Sequence, residues 1–328
     1  MSSRNIASHP EVAALQPDKP TLTQAYYSRG IAYARKGNYE QAIDDFTQAI
    51  QLNPDNADFY YHRGNAYSDI GEFARAIADY NRAIKRKSDN VHAYYNRGNA
   101  YRKKGDYDRA IADYTQAIDL NPHYAIAYNN RGAAYRDKGN YDRAIKDCTK
   151  AIELKSNYAE PYANRGAAYR NKGEVDRAIK DYDAAIDLKP DFFGAYYNRG
   201  IAYGEKGDFD RAIVDYIKAI ELKPNLVEAY NNRGNAYNRQ GEYARAIEDY
   251  NRAIQRKPNL VEAYIGRGIA RLNLEEWENA RIDLTNAKNM GVDIIEGFRY
   301  FYEGVPDFER KNGIKLPADL AAMLTPQQ

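Results

Sequence analysis

The 328-residue chain holds one cysteine, three methionines, one tryptophan and four histidines, and its 48 basic and 46 acidic residues leave no excess of either charge. Each shortage excludes something. A lone thiol, Cys148, cannot build an internal disulfide framework or a multi-thiolate metal site. A net charge of +2 offers no dominant basic surface to phosphates, so generic nucleic-acid binding is disfavoured. No stretch is apolar enough to span a bilayer, and the opening MSSRNIASHPEVAALQPDKPTL lacks the apolar core of a signal peptide. The expectation is a soluble, cytoplasmic protein with no membrane contact. Of the histidines, His62, His92 and His123 could meet, but without evident carboxylate or thiolate partners they make no metal site. No nucleophile–base pair is visible either. The chain therefore reads as non-catalytic and free of cofactors.

What it has in abundance is repetition. An Arg-Gly pair recurs every 34 residues, at Arg29-Gly30, Arg63-Gly64, Arg97-Gly98, Arg131-Gly132, Arg165-Gly166, Arg199-Gly200, Arg233-Gly234 and Arg267-Gly268. A chain built from one repeated unit buries its core between neighbours and forms an elongated stack. The phase places eight repeats over 23–294, at 23–56, 57–90, 91–124, 125–158, 159–192, 193–226, 227–260 and 261–294. Residues 1–22, polar and with three prolines, read as a disordered leader, and 295–328 as a C-terminal helical cap.

The third repeat, VHAYYNRGNAYRKKGDYDRAIADYTQAIDLNPHY, sets the numbering of positions. Apolar or small residues fall at positions 4, 8 and 11 and again at 17, 20, 21, 24, 27 and 28, which is helical spacing in both halves. Gly105 breaks the first helix, Asp106 can cap the second, and Pro122 stops continuation into the next unit. Each repeat is then a hairpin of two helices of roughly 13 residues, about 20 Å long. Of 32 tyrosines, 24 fall at positions 4, 11, 17 and 24, where rings pack between helices. Those at position 5, Tyr27, Tyr61, Tyr95 and Tyr197, point toward a groove and stay available to a ligand. Cys148 stands in the aromatic position 24 and reads as a small buried hydrophobe.

Tyr94, Gly98, Tyr101, Ala110, Tyr114, Ala117 and Pro122 occupy signature positions of the tetratricopeptide repeat family, which this chain resembles over about five sixths of its length. The resemblance implies an all-α fold, a right-handed superhelical solenoid of eight helical hairpins, and a non-catalytic scaffold that binds a protein or peptide segment in its concave groove. Repeat eight drifts, with Arg271, Glu275 and Val292 in the tyrosine, loop-glycine and proline positions, as an array end should. The main departure is position 7, where the family places Leu and this chain places Arg. Such a charge needs a partner. Position 23 is aspartate in every unit, from Asp45 to Asp283, and a ladder of partly buried Arg–Asp pairs tying adjacent hairpins is expected.

The resemblance implies a groove lined by positions 2, 5, 6, 9, 12 and 13 of the first helices. Position 6 carries Asn96, Asn130, Asn164, Asn198 and Asn232 in five consecutive repeats. This run resembles the asparagine ladder in the tetratricopeptide domain of O-linked N-acetylglucosamine transferases, which implies amides that bind the backbone of an extended peptide. An Asn amide offers a donor and an acceptor, as a peptide group does. Asn65, Asn99 and Asn235 add amides at position 9, and Tyr61 and Tyr95 aromatic surface at position 5. Arg102, Arg136 and Arg170 at position 12, with Lys103 beside the first, favour acidic groups on the partner. The lysines of the chaperone-binding carboxylate clamp are absent from position 5. Two alternatives stay open: single-stranded RNA held by the same arginines and tyrosines, and self-association through the C-terminal end. There, IEGFRYFYEG can form a helix that packs Phe298, Phe301 and Tyr302 onto the last hairpin, followed by short helices in PDFERKNG and PADLAAML.

Overall fold

The computed structural model describes residues 18–326, and these are all helix and connecting turn. Most of the leader expected to be disordered, residues 1–17, lies outside the described residues. The chain divides into two compact units, the first ending at Lys138 and the second beginning at Gly139. In the first unit the helices are α1 Lys19–Arg35, α2 Tyr39–Leu52, α3 Ala57–Asp69, α4 Phe73–Arg86, α5 Val91–Lys103, α6 Tyr107–Leu120 and α7 Ala125–Asp137. Residues 19–22, assigned to the leader from sequence, belong to α1, because Asp18 accepts from the Thr21 amide and caps it four residues earlier. The second unit runs through α8 Tyr141–Leu154, α9 Ala159–Asn171, α10 Val175–Leu188, α11 Phe193–Glu205, α12 Phe209–Leu222, α13 Val227–Arg239 and α14 Tyr243–Arg256. It ends with α15 Val261–Asn273, α16 Trp277–Asn289, α17 Ile294–Arg299, α18 Val305–Asn312 and α19 Ala318–Met323.

Local chemistry sets these boundaries. Gly105 adopts φ 78° after α5, and its counterparts Gly37, Gly71, Gly139, Gly173, Gly207 and Gly241 do the same, a left-handed geometry that a side chain resists. Asp106, Asn140 and Asp208 then cap α6, α8 and α12 by accepting from the amide three residues on. In repeat eight the turn glycine is replaced by Glu275, which is nonetheless held at φ 58°. Glu275→Gly should stabilise the last hairpin by up to about 1 kcal/mol, because the left-handed penalty outweighs the extra backbone entropy of glycine at this one position. Thermal unfolding followed at Trp277 checks it, and a lower midpoint for the variant would contradict the strain argument.

The alanine at position 20 is fully buried in every repeat, and in repeats one, two, three, five, six and seven the aromatic ring at position 24 lies under the glycine at position 8. Tyr80, Tyr114, Tyr182 and Tyr250 are at most 1% exposed, whereas the tyrosines of positions 4, 11 and 17 are mostly half-buried. The core is thus a series of small clusters between neighbours, such as Ala76, Tyr80 and Ala100 with Tyr61 and Phe73 around them. Cys148 is fully buried in its aromatic position. Within each unit the first helices of successive hairpins touch, as α3 with α5 and α11 with α13, while second helices meet less. Each unit therefore curves with its first helices on the concave side.

Arg29, Arg63, Arg97, Arg165, Arg199, Arg233 and Arg267 each bind the aspartate sixteen residues on through two hydrogen bonds of 2.6–2.9 Å. The pairs join the two helices of one hairpin, which corrects the expectation that they bridge adjacent hairpins. Bridging falls to the third guanidinium nitrogen. Arg63 donates back to Thr47 at 2.9 Å, Arg97 to Asn81 at 2.6 Å, Arg165 to Thr149 at 3.0 Å and Arg199 to Asp183 at 2.6 Å. Arg29 has no described hairpin before it and stays 59% exposed, against 12% for Arg63.

The tail packs onto the last hairpin. Phe298, Phe308, Leu316, Leu320 and Leu324 bury against Ile265, Ile269, Leu272 and Leu284 of the last hairpin, with Trp277, Phe301 and Tyr302 half-buried around them. Asp307 organises this cap: Lys311, the Glu303 amide and Arg310 bond its carboxyl and hold it at about 2, below its ordinary 3.8. A depressed carboxylate contributes its full stability above pH ~4 and loses it as the pH falls through the folded value. Acidification toward pH ~2 should accordingly red-shift Trp277 emission, and Asp307→Asn should show that shift already at neutral pH. Equal emission for both proteins across the range would contradict it.

Candidate partner-binding groove

The concave stripe of each unit is built by helical spacing: positions 5, 6, 9, 12 and 13 of a first helix fall on one side, above the buried position 8. In the first unit this stripe is bonded from hairpin to hairpin. The Asn96 amide donates to Asn65 Oδ1 at 2.9 Å and to the Tyr61 hydroxyl at 3.2 Å, and that of Asn130 to Asn99 Oδ1 at 3.0 Å and the Tyr95 hydroxyl at 2.9 Å. Asn65 and Asn99 also accept from the buried hydroxyls of Tyr80 and Tyr114, at 2.8 and 2.7 Å. Both N–H groups of Asn96 and Asn130 are therefore committed inside the fold. The position-5 tyrosines serve as brackets between repeats, a role their spacing alone did not reveal.

The second unit keeps this bonding only in part. Asn232 donates to the Tyr197 hydroxyl at 3.2 Å, but position 9 of the preceding repeat is Ile201, which offers no second acceptor. Asn198 follows a repeat with Ala163 and Ala167 at positions 5 and 9, so neither bracket exists there. Among the described residues none hydrogen-bonds its side chain, which is half-buried on α11. Asn164, one repeat earlier, is likewise half-buried, on α9.

The position-12 arginines are less free than their spacing suggests. Arg102 binds Asp137 through Nε at 3.1 Å and Nη2 at 2.7 Å, and Arg136 approaches the same carboxylate at 2.7 Å. Burial pushes the Asp137 carboxyl up, but the bonds from Arg136 and Arg102 outweigh it and hold it below its ordinary value. Among the described residues Arg170 makes one ion-pair contact, 3.7 Å from Glu205, and its buried Nε has no hydrogen-bond partner there. Lys103, at the end of α5, is exposed.

His62 and His92 share a cavity of about 460 Å³ with Asp58, Asp89 and Tyr27, and burial pulls the His62 imidazole below its ordinary value against the attraction of Asp58. His123 is not part of that lining, and among the described residues no three His, Cys, Asp or Glu converge to hold a metal ion. No described helix is long and apolar enough to cross a membrane.

Family models described as tetratricopeptide repeat match residues 95–159 and 227–260, and one described as TPR repeat matches 30–71, 64–101, 166–207 and 202–241. The chain belongs to the tetratricopeptide repeat family. Among solved structures, a tetratricopeptide repeat protein from Parabacteroides merdae shares 21% identity with this array over 76% of its chain and 99% of the other, with a TM-score of 0.64. The Cut9–Hcn1 assembly of the APC/C aligns at 18% identity and TM-score 0.60 over 81% of the array, which spans 52% of that chain. PilF of Pseudomonas aeruginosa aligns at 20% identity and TM-score 0.54, covering 63% of the array and 94% of its own chain. At these identities the likeness speaks to the tetratricopeptide fold alone. No curated protein matches the sequence of the array.

Proposed function

We propose that this tetratricopeptide array is a non-catalytic scaffold that holds an extended segment of another protein against the concave face of its first helices. The observation that carries the reading is the break in the hairpin-to-hairpin bonding at Asn198. Where Asn96 and Asn130 spend both N–H groups on the fold, Asn198 follows a repeat with Ala163 and Ala167 at the bracket positions and, among the described residues, makes no side-chain hydrogen bond, which leaves its amide for a peptide group. Ala163, Ala167 and Arg170 follow one another at helical spacing on one side of α9, so a shallow, small-residue floor leads to an underused guanidinium. Backbone contact at Asn198 gives sequence tolerance, and Arg170 gives preference for a carboxylate nearby. In the first unit the guanidiniums of Arg102 and Arg136 stand on the same stripe and suit acidic groups on the partner.

The test is affinity capture from the native lysate with wild type and with Asn198→Ala/Arg170→Ala, alongside Asn96→Ala as a ladder residue already spent on the fold. The double variant should lose partners that wild type retains, by about tenfold or more in recovery for two lost hydrogen bonds. Equal recovery by wild type and the double variant would sink the reading.

A further inference from the structure

Repeat six carries Ile201, Gly204 and Glu205 at groove positions 9, 12 and 13 of α11. Ile201 stands where repeats two, three and seven carry Asn65, Asn99 and Asn235, Gly204 where repeats three to five carry Arg102, Arg136 and Arg170, and Glu205 comes next. The first change strands a donor. Tyr80, Tyr114 and Tyr250 each give their hydroxyl to the asparagine fifteen residues earlier, at 2.7–2.8 Å, and Tyr216 finds Ile201 there instead. The second change opens space, since a methyl group on Gly204 would meet only the Tyr216 hydroxyl, at 3.9 Å.

The result is a cavity of about 450 Å³ whose walls include Ile201, Phe209, Tyr216, Asn235 and, from the tail beyond α17, Tyr300. Arg239 at the end of α13 fixes that last wall: it donates to the Tyr300 carbonyl, and its guanidinium lies 4.7 Å from the Tyr300 ring centre and 5.1 Å from that of Phe301. The tail thus does more than cover the apolar end of the stack. It closes one side of a cavity in the groove.

The lining selects its occupant by charge and by hydrogen bonding. The walls carry one charge of each sign, Glu205 and Arg239, so a buried ligand charge of either sign would meet a like charge. Ile201, Phe209 and Ala212 supply an apolar wall, while the unspent hydrogens belong to the Tyr216 hydroxyl, to the second N–H of Asn232 and to Asn235 Nδ2, whose Oδ1 already accepts from Tyr250. We propose that this cavity is a specificity pocket for an uncharged side chain with an apolar stem and a hydrogen-bond acceptor at its tip, glutamine being the closest fit, presented by the segment held in the groove. The assignment rests on the groove reading above and adds to it which side chain the partner must bring.

A phage-displayed library of random 12-residue peptides, selected on the full chain, tests both levels. Enriched peptides should share glutamine or a like acceptor-tipped neutral residue at one fixed position. Their affinity should fall about tenfold in Ile201→Asn, which restores the partner that Tyr80, Tyr114 and Tyr250 enjoy, and again in Gly204→Arg, which fills the cavity. Both replacements occur naturally at the same position of neighbouring repeats, so both should fold, as melting curves would verify. Enrichment of acidic or basic residues at that position would overturn the pocket. So would peptides that bind Ile201→Asn and Gly204→Arg as tightly as wild type while losing binding to Asn198→Ala/Arg170→Ala, and in that case the groove reading stands. No enriched peptide, or binding indifferent to Asn198→Ala/Arg170→Ala, would overturn the groove reading and the pocket with it.

Discussion

Asp249→Ala should destabilise the seventh hairpin by about 3–5 kcal/mol, the usual cost of breaking a buried ion pair from one side. Arg233 is 11% exposed and, among the described residues, spends its hydrogen bonds on Asp249 alone, at 2.7 Å each, because the residue that would take its third nitrogen in the preceding repeat is Ile217. Removing the carboxylate leaves a desolvated guanidinium with nothing to bond. Asp215→Ala is the informative comparison, since Arg199 would keep its 2.6 Å bond to Asp183 and the loss should be about half as large. Replacing both members, with Arg233→Met and Asp249→Leu, should cost far less than Asp249→Ala, because the desolvation penalty disappears with the charge. Native-state hydrogen exchange on α13 and α14 suits the measurement, as repeat arrays need not unfold in one step. A loss below ~1 kcal/mol for Asp249→Ala would mean that water reaches Arg233 and that the ladder is a surface feature.

Gly98→Ala should be destabilising by about 1–2 kcal/mol even though alanine is the better helix former by nearly 1 kcal/mol. A Cβ at Gly98 would sit 2.8 Å from the Tyr114 ring and 3.3 Å from the Ala110 carbonyl oxygen, and a fully buried ring between two helices has little room to yield. Gly194→Ala is the opposite case. Its new methyl would meet Phe192 no closer than 3.4 Å, so propensity should prevail and α11 should gain up to about 1 kcal/mol. Urea denaturation of the two variants should move in opposite directions; movement in the same direction would show that the close approach at position 8 is not what fixes the hairpin.

How much of this was legible beforehand differs from residue to residue. The Gly105 break, the Asp106 cap and the buried Tyr114 follow from local preferences and one helical period, and all appear where the period puts them. The Arg–Asp pairing followed from the persistence of two unlike charges, but its direction did not: each arginine stands sixteen residues before the aspartate of its own hairpin and eighteen after that of the preceding one, as Arg97 does between Asp113 and Asp79. The Asn96 and Asn130 amides were legible as groove-facing and illegible as spent. Their partners, Tyr61 with Asn65 and Tyr95 with Asn99, lie 31 and 35 residues away. A position-by-position comparison of consecutive repeats would have offered the signal, since Ala163 and Ala167 precede Asn198 where Tyr and Asn precede Asn96 and Asn130.

The sequence by itself determined the repeat, the hairpin, the face each position takes and the residues that pack at the hairpin centre, because a period of 34 residues and the 3.6-residue turn are properties of the chain and its backbone. Only the tertiary structure decided which polar groups the stack consumes and which it leaves. That outcome depends on the offset between helices from successive hairpins, which brings the Tyr95 hydroxyl to Asn130, leaves Tyr216 facing Ile201, and carries Tyr300 back to Arg239 across 61 residues. Hydrogen bonds saturate, so one neighbour's substitution frees or binds the next, and no single repeat contains that information.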